Sequence, residues 1–303
     1  MSDHRSVLLV GGPDAGKTNY LTRLWIALQA GGGCLRARGL PADAEYLNGN
    51  ATILLGGHFA PHTSQNVHAR NLVPVEWSDG GTGELVVPDC PGEEWEKIHR
   101  TRSWSEEWEA TLPTLVGCLL FVRAGSDRVV APLDWVNCAS MFGGPIELPG
   151  AALATPPAEM PTQVLLIDWL QCLGTAVASL QAPARRLRVA VVISAWDRVP
   201  TDQQGENPSQ YIASNFRMLS DFILSNSGAF EFAQFGVSVT GGDLDAAPGF
   251  REEYLSGDPA TAGYVVHTLN GTVERSTDHS LPVAWAMGLR PGTAGAQDGG
   301  GRG

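Results

Sequence analysis

Lysine is almost missing from this chain. Of its 20 basic residues only Lys17 and Lys97 are lysines; the rest are arginines. Cysteine is sparse and without pattern. Cys34, Cys90, Cys118, Cys138 and Cys172 are odd in number and form no CxxC pair, which excludes a disulfide framework or a thiolate zinc site and fits reduced thiols. Positive charge is in deficit: a formal net charge of −12 repels a nucleic-acid backbone and an anionic membrane surface, so neither is expected as a partner. Long apolar runs are not evident. No stretch is expected to reach transmembrane length, Met1 to Ser6 lacks a signal-peptide pattern, and a cytoplasmic location follows as an expectation. No repeat of fixed period occurs. What is present is a chain of 303 residues, 43% hydrophobic, enough for a sizeable core.

Apolar periodicity outlines an alternating order. Ser6 to Val10 is a short apolar run ending at glycine, as a buried parallel strand does. Leu21, Leu24, Trp25 and Leu28 recur at helical spacing, so a helix starts near Lys17 and Gly31-Gly32-Gly33 ends it. A loop-rich stretch is expected from about Gly39 to Arg70. Asn71 to Trp77 and Glu84 to Val87 read as strands separated by the turn Asp79-Gly80-Gly81. Pro91 to Ala110 reads as a mobile, helix-bearing polar segment carrying Trp95, Trp104 and Trp108, and Leu115 to Val122 as a central strand. Ala124 to Pro161 is rich in Gly, Pro and Ala, an insertion or long loop. Helices are expected at Val164 to Leu180, Ser209 to Leu224 and Leu281 to Leu289. Strands are expected at Leu187 to Ser194 and Phe235 to Val239, with a hairpin from Tyr264 to Glu274 turning at Asn270-Gly271. The sum is an α/β fold with a mostly parallel sheet. It is read as one domain over 1–290, with an insertion at 124–161, a C-terminal hairpin-helix extension at 243–290 and a disordered tail at 291–303.

One of the two lysines sits in Gly11-Gly12-Pro13-Asp14-Ala15-Gly16-Lys17-Thr18, which fits G-x-x-x-x-G-K-[ST] in full between a strand and a helix. Glycines let backbone N–H groups converge and approach phosphate oxygens, and the helix N-terminus adds partial positive charge. A compact ammonium suits such a cradle better than a guanidinium. Lys17 is expected on the β- and γ-phosphates and the Thr18 hydroxyl on Mg²⁺, with Asn19 completing the binding set. Leu85-Val86-Val87-Pro88-Asp89-Cys90-Pro91-Gly92-Glu93 is the second element. An apolar strand delivers Asp89 at its C-terminal end, where it would hold Mg²⁺ directly or through water, and the Gly92 N–H could sense the γ-phosphate.

These stretches resemble the GTPases of the translation-factor and Ras-like (TRAFAC) branch of P-loop proteins. GGPDAGKTNYL is similar to the elongation-factor cradle, Asp14 included, and DCPGE to its D-x-P-G motif. The resemblance implies a three-layer P-loop fold and two base-reading motifs. Where N/T-K-x-D should follow a strand, Ser194-Ala195-Trp196-Asp197 stands: Asp197 matches the carboxylate that pairs with guanine, Ser194 replaces Asn or Thr, and Ala195 replaces the lysine that packs over the base. Trp196 either covers part of the pocket or packs in the core. Of the S-A-K motif only Ser238 matches. Thr63 is better placed than Thr52 as the switch threonine on Mg²⁺, and Glu93 stands where relatives place the residue that orients the attacking water. Arg123 and Arg128 read as surface or loop charges, and His58 and His62, split by Pro61, as loop residues. Gly16 to Trp25 and Phe59 to Thr63 are also similar to bacterial double-GTPase families, which are encoded beside partner proteins in operons assigned to defence.

The reading that follows is Mg²⁺-dependent GTP and GDP binding with slow hydrolysis. Lys17, Thr63 and Glu93 are the catalytic candidates, and Thr18, Thr63 and Asp89 the metal candidates. The moving segments are expected near Gly56 to Val67 and Cys90 to Ala110, where tryptophans would present a face to a protein partner. Two alternatives stay open: an ATP-driven P-loop enzyme, which does not need Asp197, and a scaffold that holds nucleotide without turnover.

Overall fold

Alternate residues of β1 (His4–Val10) point into two different cores. Val7 and Leu9 join one apolar cluster, Leu8 and Val10 the other, and none is more than 4% exposed. A strand buried on both faces needs a layer of helices on each side, and this chain supplies them. The computed structural model describes residues 4–41, 44–61, 69–77, 80–89, 92–104, 106–126, 160–180, 186–200, 207–245, 248–269 and 271–289.

Among the described residues, β1 is joined by β2 (Leu35–Ala37), β3 (Ala69–Trp77), β4 (Thr82–Asp89), β5 (Leu115–Arg123), β6 (Leu187–Ser194), β7 (Phe230–Ser238), β8 (Tyr264–Leu269) and β9 (Thr272–Ser276). They form one sheet in the order β2-β3-β4-β1-β5-β6-β7-β8-β9. From β4 to β7 the neighbours are parallel. The two outer pairs at each edge are antiparallel. The expected hairpin at Gly271 is thus part of the same sheet, its turn glycine at φ 83. One face carries α1 (Lys17–Ala30), α2 (Ala44–Leu55), α8 (Pro248–Ser256) and α9 (Leu281–Ala286). The other carries α3 (Gly92–Thr101), α4 (Glu106–Thr111), α5 (Thr162–Leu180), α6 (Pro208–Asn215) and α7 (Arg217–Ser225). This is the three-layer P-loop α/β fold. Because the central strands are parallel, the chain leaves β1, β5, β6 and β7 on the same side, and the loops there converge.

Several expectations change. The stretch from Gly39 to Arg70 contains α2, whose Leu47, Asn50, Ala51 and Leu54 are buried at helical spacing; Gly49 and two asparagines, weak helix formers, hide that signal in the sequence. The single helix expected from Ser209 to Leu224 is two. Phe216 breaks it at φ −132°, and the Gln163 side chain accepts the Met218 and Leu219 N–H groups at 2.9 and 3.3 Å. Helix α8 was not foreseen. Contrary to expectation, one helix is long and apolar enough to cross a membrane by length and composition, namely α5. Its apolarity has a local use, since Leu166, Trp169, Leu170, Leu173 and Val177 are buried against the sheet. The tryptophans also lie differently. Trp95 and Trp108 are 0% and 3% exposed, with ring centroids 5.0 Å apart, and Trp95 packs 5.9 Å from Trp169 of α5. They anchor α3 and α4 to the core instead of forming an exposed face. Residues 127–159 of the expected insertion at 124–161, and all of the expected tail at 291–303, lie outside the described residues.

Candidate functional site

Between the end of β1 and the start of α1 the chain folds tightly over itself. Gly16 caps α1 at φ 89, a left-handed conformation, and a Cβ there would lie 3.0 Å from the Ser194 hydroxyl, so only glycine fits. Asp14 adopts φ 56, unusual for a residue with a side chain. The Lys17 ammonium, 7% exposed, folds back to donate to the Gly11 and Gly12 carbonyls at 2.7 and 2.9 Å. The positive charge is thereby held against the loop.

The facing wall comes from β6. Ser194 donates its hydroxyl to the Ala15 carbonyl at 2.8 Å, strapping the end of β6 to the glycine loop. Ala195 then turns at φ 53 and carries the chain to Asp197, which faces the same cavity. Trp196 takes the core role of its two readings: it is 2% exposed and packs on Tyr211. Its indole also lies against Gly236, where a Cβ would be 2.3 Å away. Arg123, expected as a surface charge, ends the neighbouring strand β5 and donates Nη1 to the Asp14 carbonyl at 3.0 Å within the cavity. Ser238 is fully buried and does not line the cavity. Its hydroxyl accepts the Gly241 N–H at 2.9 Å and shapes the turn that puts Val239 and Thr240 in the wall.

A third wall is Phe59-Ala60-Pro61. Asn19, in the cavity, accepts the Ala60 N–H through its side-chain oxygen at 2.9 Å and so fixes this segment to α1. Thr63 lies outside the described residues, as do the side chains of Asp89 and Glu93. Of those elements the backbone is described: Asp89 ends β4, which runs parallel to β1, and Gly92 opens α3. The enclosed volume is about 610 Å³, with Pro13, Asp14, Ala15, Gly16, Lys17 and Thr18 along one side. Space of that size suits a small ligand or cofactor.

The residues after the cradle prove to be its bracing, a role the sequence did not disclose. Tyr20 donates to the His279 carbonyl at 2.9 Å. Arg23 is completely buried and donates to Val239, Pro259 and Ala260 carbonyls at 2.6, 2.8 and 3.1 Å. Trp25 donates to the Asn48 side chain at 2.9 Å. One helix thus pins the wall at Val239, the C-terminal segment and α2. Burial and the nearby Arg23 charge push the His279 imidazole down to about 4. Burial pushes the Cys118 thiol up to about 12, and burial with the Asp278 carboxylate does the same for Cys34, so both stay neutral. A second, outer cavity of about 860 Å³ opens between α3, α4 and α5. At its edge burial raises the Asp168 carboxyl, but hydrogen bonds from Arg102 and His99 outweigh this and hold it low.

A glycine loop closed by lysine after β1, sharing one cavity with the Asp197 turn after β6 in a three-layer α/β sheet, is the arrangement of a P-loop nucleotide-binding protein. The chain matches the Double-GTPase 1 family over residues 8–286 and belongs to it. It is therefore a GTP- and GDP-binding protein. Among solved structures it is similar to a bacterial selenocysteine-specific elongation factor, at 14% identity and a TM-score of 0.32, covering 84% of this chain but 29% of that factor's length. It is also similar to the signal recognition particle receptor SRb with GDP from Chaetomium thermophilum, at 15% identity and a TM-score of 0.35 over 84% of this chain and 97% of that one. The SRb-GTP/SRX complex from the same organism gives 14% identity and a TM-score of 0.33 over 83% and 97%. No curated protein matches the chain.

Proposed function

We propose that this protein hydrolyses GTP slowly with Mg²⁺ and serves as a nucleotide-dependent switch, read by a protein partner in a cytoplasmic signalling or defence system. The observation that carries the reading is the shared cavity of Lys17 and Asp197: an ammonium held over the Gly11 and Gly12 carbonyls and a carboxylate line the same space. The loop amides and Lys17 bind the triphosphate, and Asp197 accepts the guanine N–H donors, a pair that adenine lacks at that edge. Thr18 in the cavity and Asp89 at the end of β4 are hard oxygen donors that suit Mg²⁺, with Thr63 as a third. Bound there, the ion would neutralise charge between the β- and γ-phosphates. Gly92 is the γ-phosphate sensor, and Glu93 orients water. A Cβ on Gly12 would touch Trp169 at 3.9 Å, and Trp169 packs on Trp95 of α3, so nucleotide state can reach α3 through packed rings.

Calorimetry with GDP, a non-hydrolysable GTP analogue and ADP, with Mg²⁺ or EDTA, tests this. Guanine nucleotides should bind, ADP should not compete, and Lys17→Ala should weaken binding about a hundredfold. Tryptophan emission should differ between GDP and the analogue. Equal competition by ADP would favour the ATP-driven enzyme. Stoichiometric bound nucleotide with no phosphate release, even with the partner present, would favour the scaffold.

A further inference from the structure

Ala195 presents only a methyl group to the nucleotide cavity. Its methyl group can neither cover a purine nor bring a cation to the ribose. The sheet register shows what stands beside it. Arg123 on β5 pairs with Ser194 on β6, and the Ala124 N–H donates to the Ser194 carbonyl at 3.0 Å. Arg123 is thus the cationic side chain of the strand next to Ala195. It lines the same cavity, and its guanidinium reaches the Asp14 carbonyl of the glycine loop at 3.0 Å. In the strand order β1-β5-β6 it lies between the loop that follows β1 and the Asp197 turn that follows β6. That is the junction of a phosphate-binding end and a base-binding end.

Resting on the guanine-nucleotide reading above, we propose that Arg123 is the binding residue that covers the nucleoside, supplied from β5 in place of a lysine at position 195. Its alkyl stem and planar guanidinium suit a purine face, which attracts a cation through its π-electrons. The bond to the Asp14 carbonyl fixes the guanidinium before ligand arrives, so little side-chain freedom is lost on binding. The same bond ties the base-covering group to the phosphate loop. Arg198, also in the cavity wall, is engaged by Asp243 at 3.5 Å.

The test compares the full chain with Arg123→Ala, Arg123→Lys, and Arg123→Ala combined with Ala195→Lys, using calorimetry with GDP and a non-hydrolysable GTP analogue. Arg123→Ala should lower affinity for both nucleotides about tenfold and to the same extent. Arg123→Lys should retain part of it. Ala195→Lys should recover affinity in the Arg123→Ala background, because position 195 already has a side chain at its positive φ. Unchanged binding by a folded Arg123→Ala protein, with a wild-type melting temperature, overturns the assignment. So does a loss confined to the triphosphate analogue, which would make Arg123 a γ-phosphate contact, and so does a double variant no better than the single one. Failure of the wild-type protein itself to bind any guanine nucleotide would instead overturn the underlying functional reading.

Discussion

At the scale of single residues, the site depends on short polar links between segments far apart in sequence. Ser194 replaces a larger amide or hydroxyl side chain of the related motif, yet its hydroxyl still reaches the Ala15 carbonyl across 179 positions of sequence. Removing it leaves a buried carbonyl without that donor, a loss of about 1–3 kcal/mol. Ser194→Ala should therefore lower the urea midpoint by a corresponding amount and weaken GDP binding, whereas Ser194→Thr should preserve both. The placing of Gly11 to Thr18 and of Asp197 at one cavity was legible in sequence, because glycine and lysine stand at fixed offsets within one loop and the carboxylate at a fixed offset after a strand. The places of Arg123 and Thr240 were not. A side chain that enters a cavity from a neighbouring strand has no sequence offset to read, only a register partner.

At the scale of elements, the turn from β6 to Asp197 is held by packing as much as by polar bonds. The Trp196 ring lies over Gly236 of β7, where an added Cβ would sit 2.3 Å from the ring. Gly236→Ala must move the indole, at an overpacking cost of about 1–3 kcal/mol. Because Asp197 follows Trp196 directly, guanine-nucleotide affinity should fall beyond what the loss of stability explains; thermal melts beside GDP titrations separate the two. Strands β5 and β6 were plain as apolar runs, and α1 as a periodic stripe. Helix α2 was obscured by glycine and asparagine, and α8 by its Pro248-Gly249 start and short length. Their formation is decided by what they cover: Tyr254 of α8 donates to the Leu54 carbonyl of α2 at 3.0 Å and to this pair the buried Arg23 is joined at 3.1 Å.

At the scale of the whole molecule, α9 and the C-terminal strands close the sheet near the nucleotide wall, and His279 is a buried titratable group at that closure. Its ring nitrogens lie 3.0 Å from the Thr277 carbonyl and 3.3 Å from the Ser238 carbonyl, facing the Asp278 carboxylate and the Arg23 guanidinium. An unfolded histidine takes a proton near pH 6.5, whereas this one resists until about 4. The unfolded chain therefore binds more protons in that window, and stability falls as pH drops through it, by about 2 kcal/mol between pH 7 and 5. Urea titrations should show that slope, and His279→Gln should flatten it. Asp168, held below its usual range, contributes its own loss only under more acidic conditions. By itself the sequence determined the class of fold and the phosphate cradle, because apolar alternation and glycine-lysine spacing are local constraints that any chain bearing them must obey. The tertiary structure alone decided that Trp196 is core, that Ser238 shapes a turn, and that Arg123 stands beside Ala195. Trp196 meets Tyr211 and Gly236, and Arg123 meets Ser194, through side-chain packing and strand register between separate elements, and the Ser238 turn rests on one hydroxyl accepting the Gly241 N–H; none of these leaves a periodic trace along the chain.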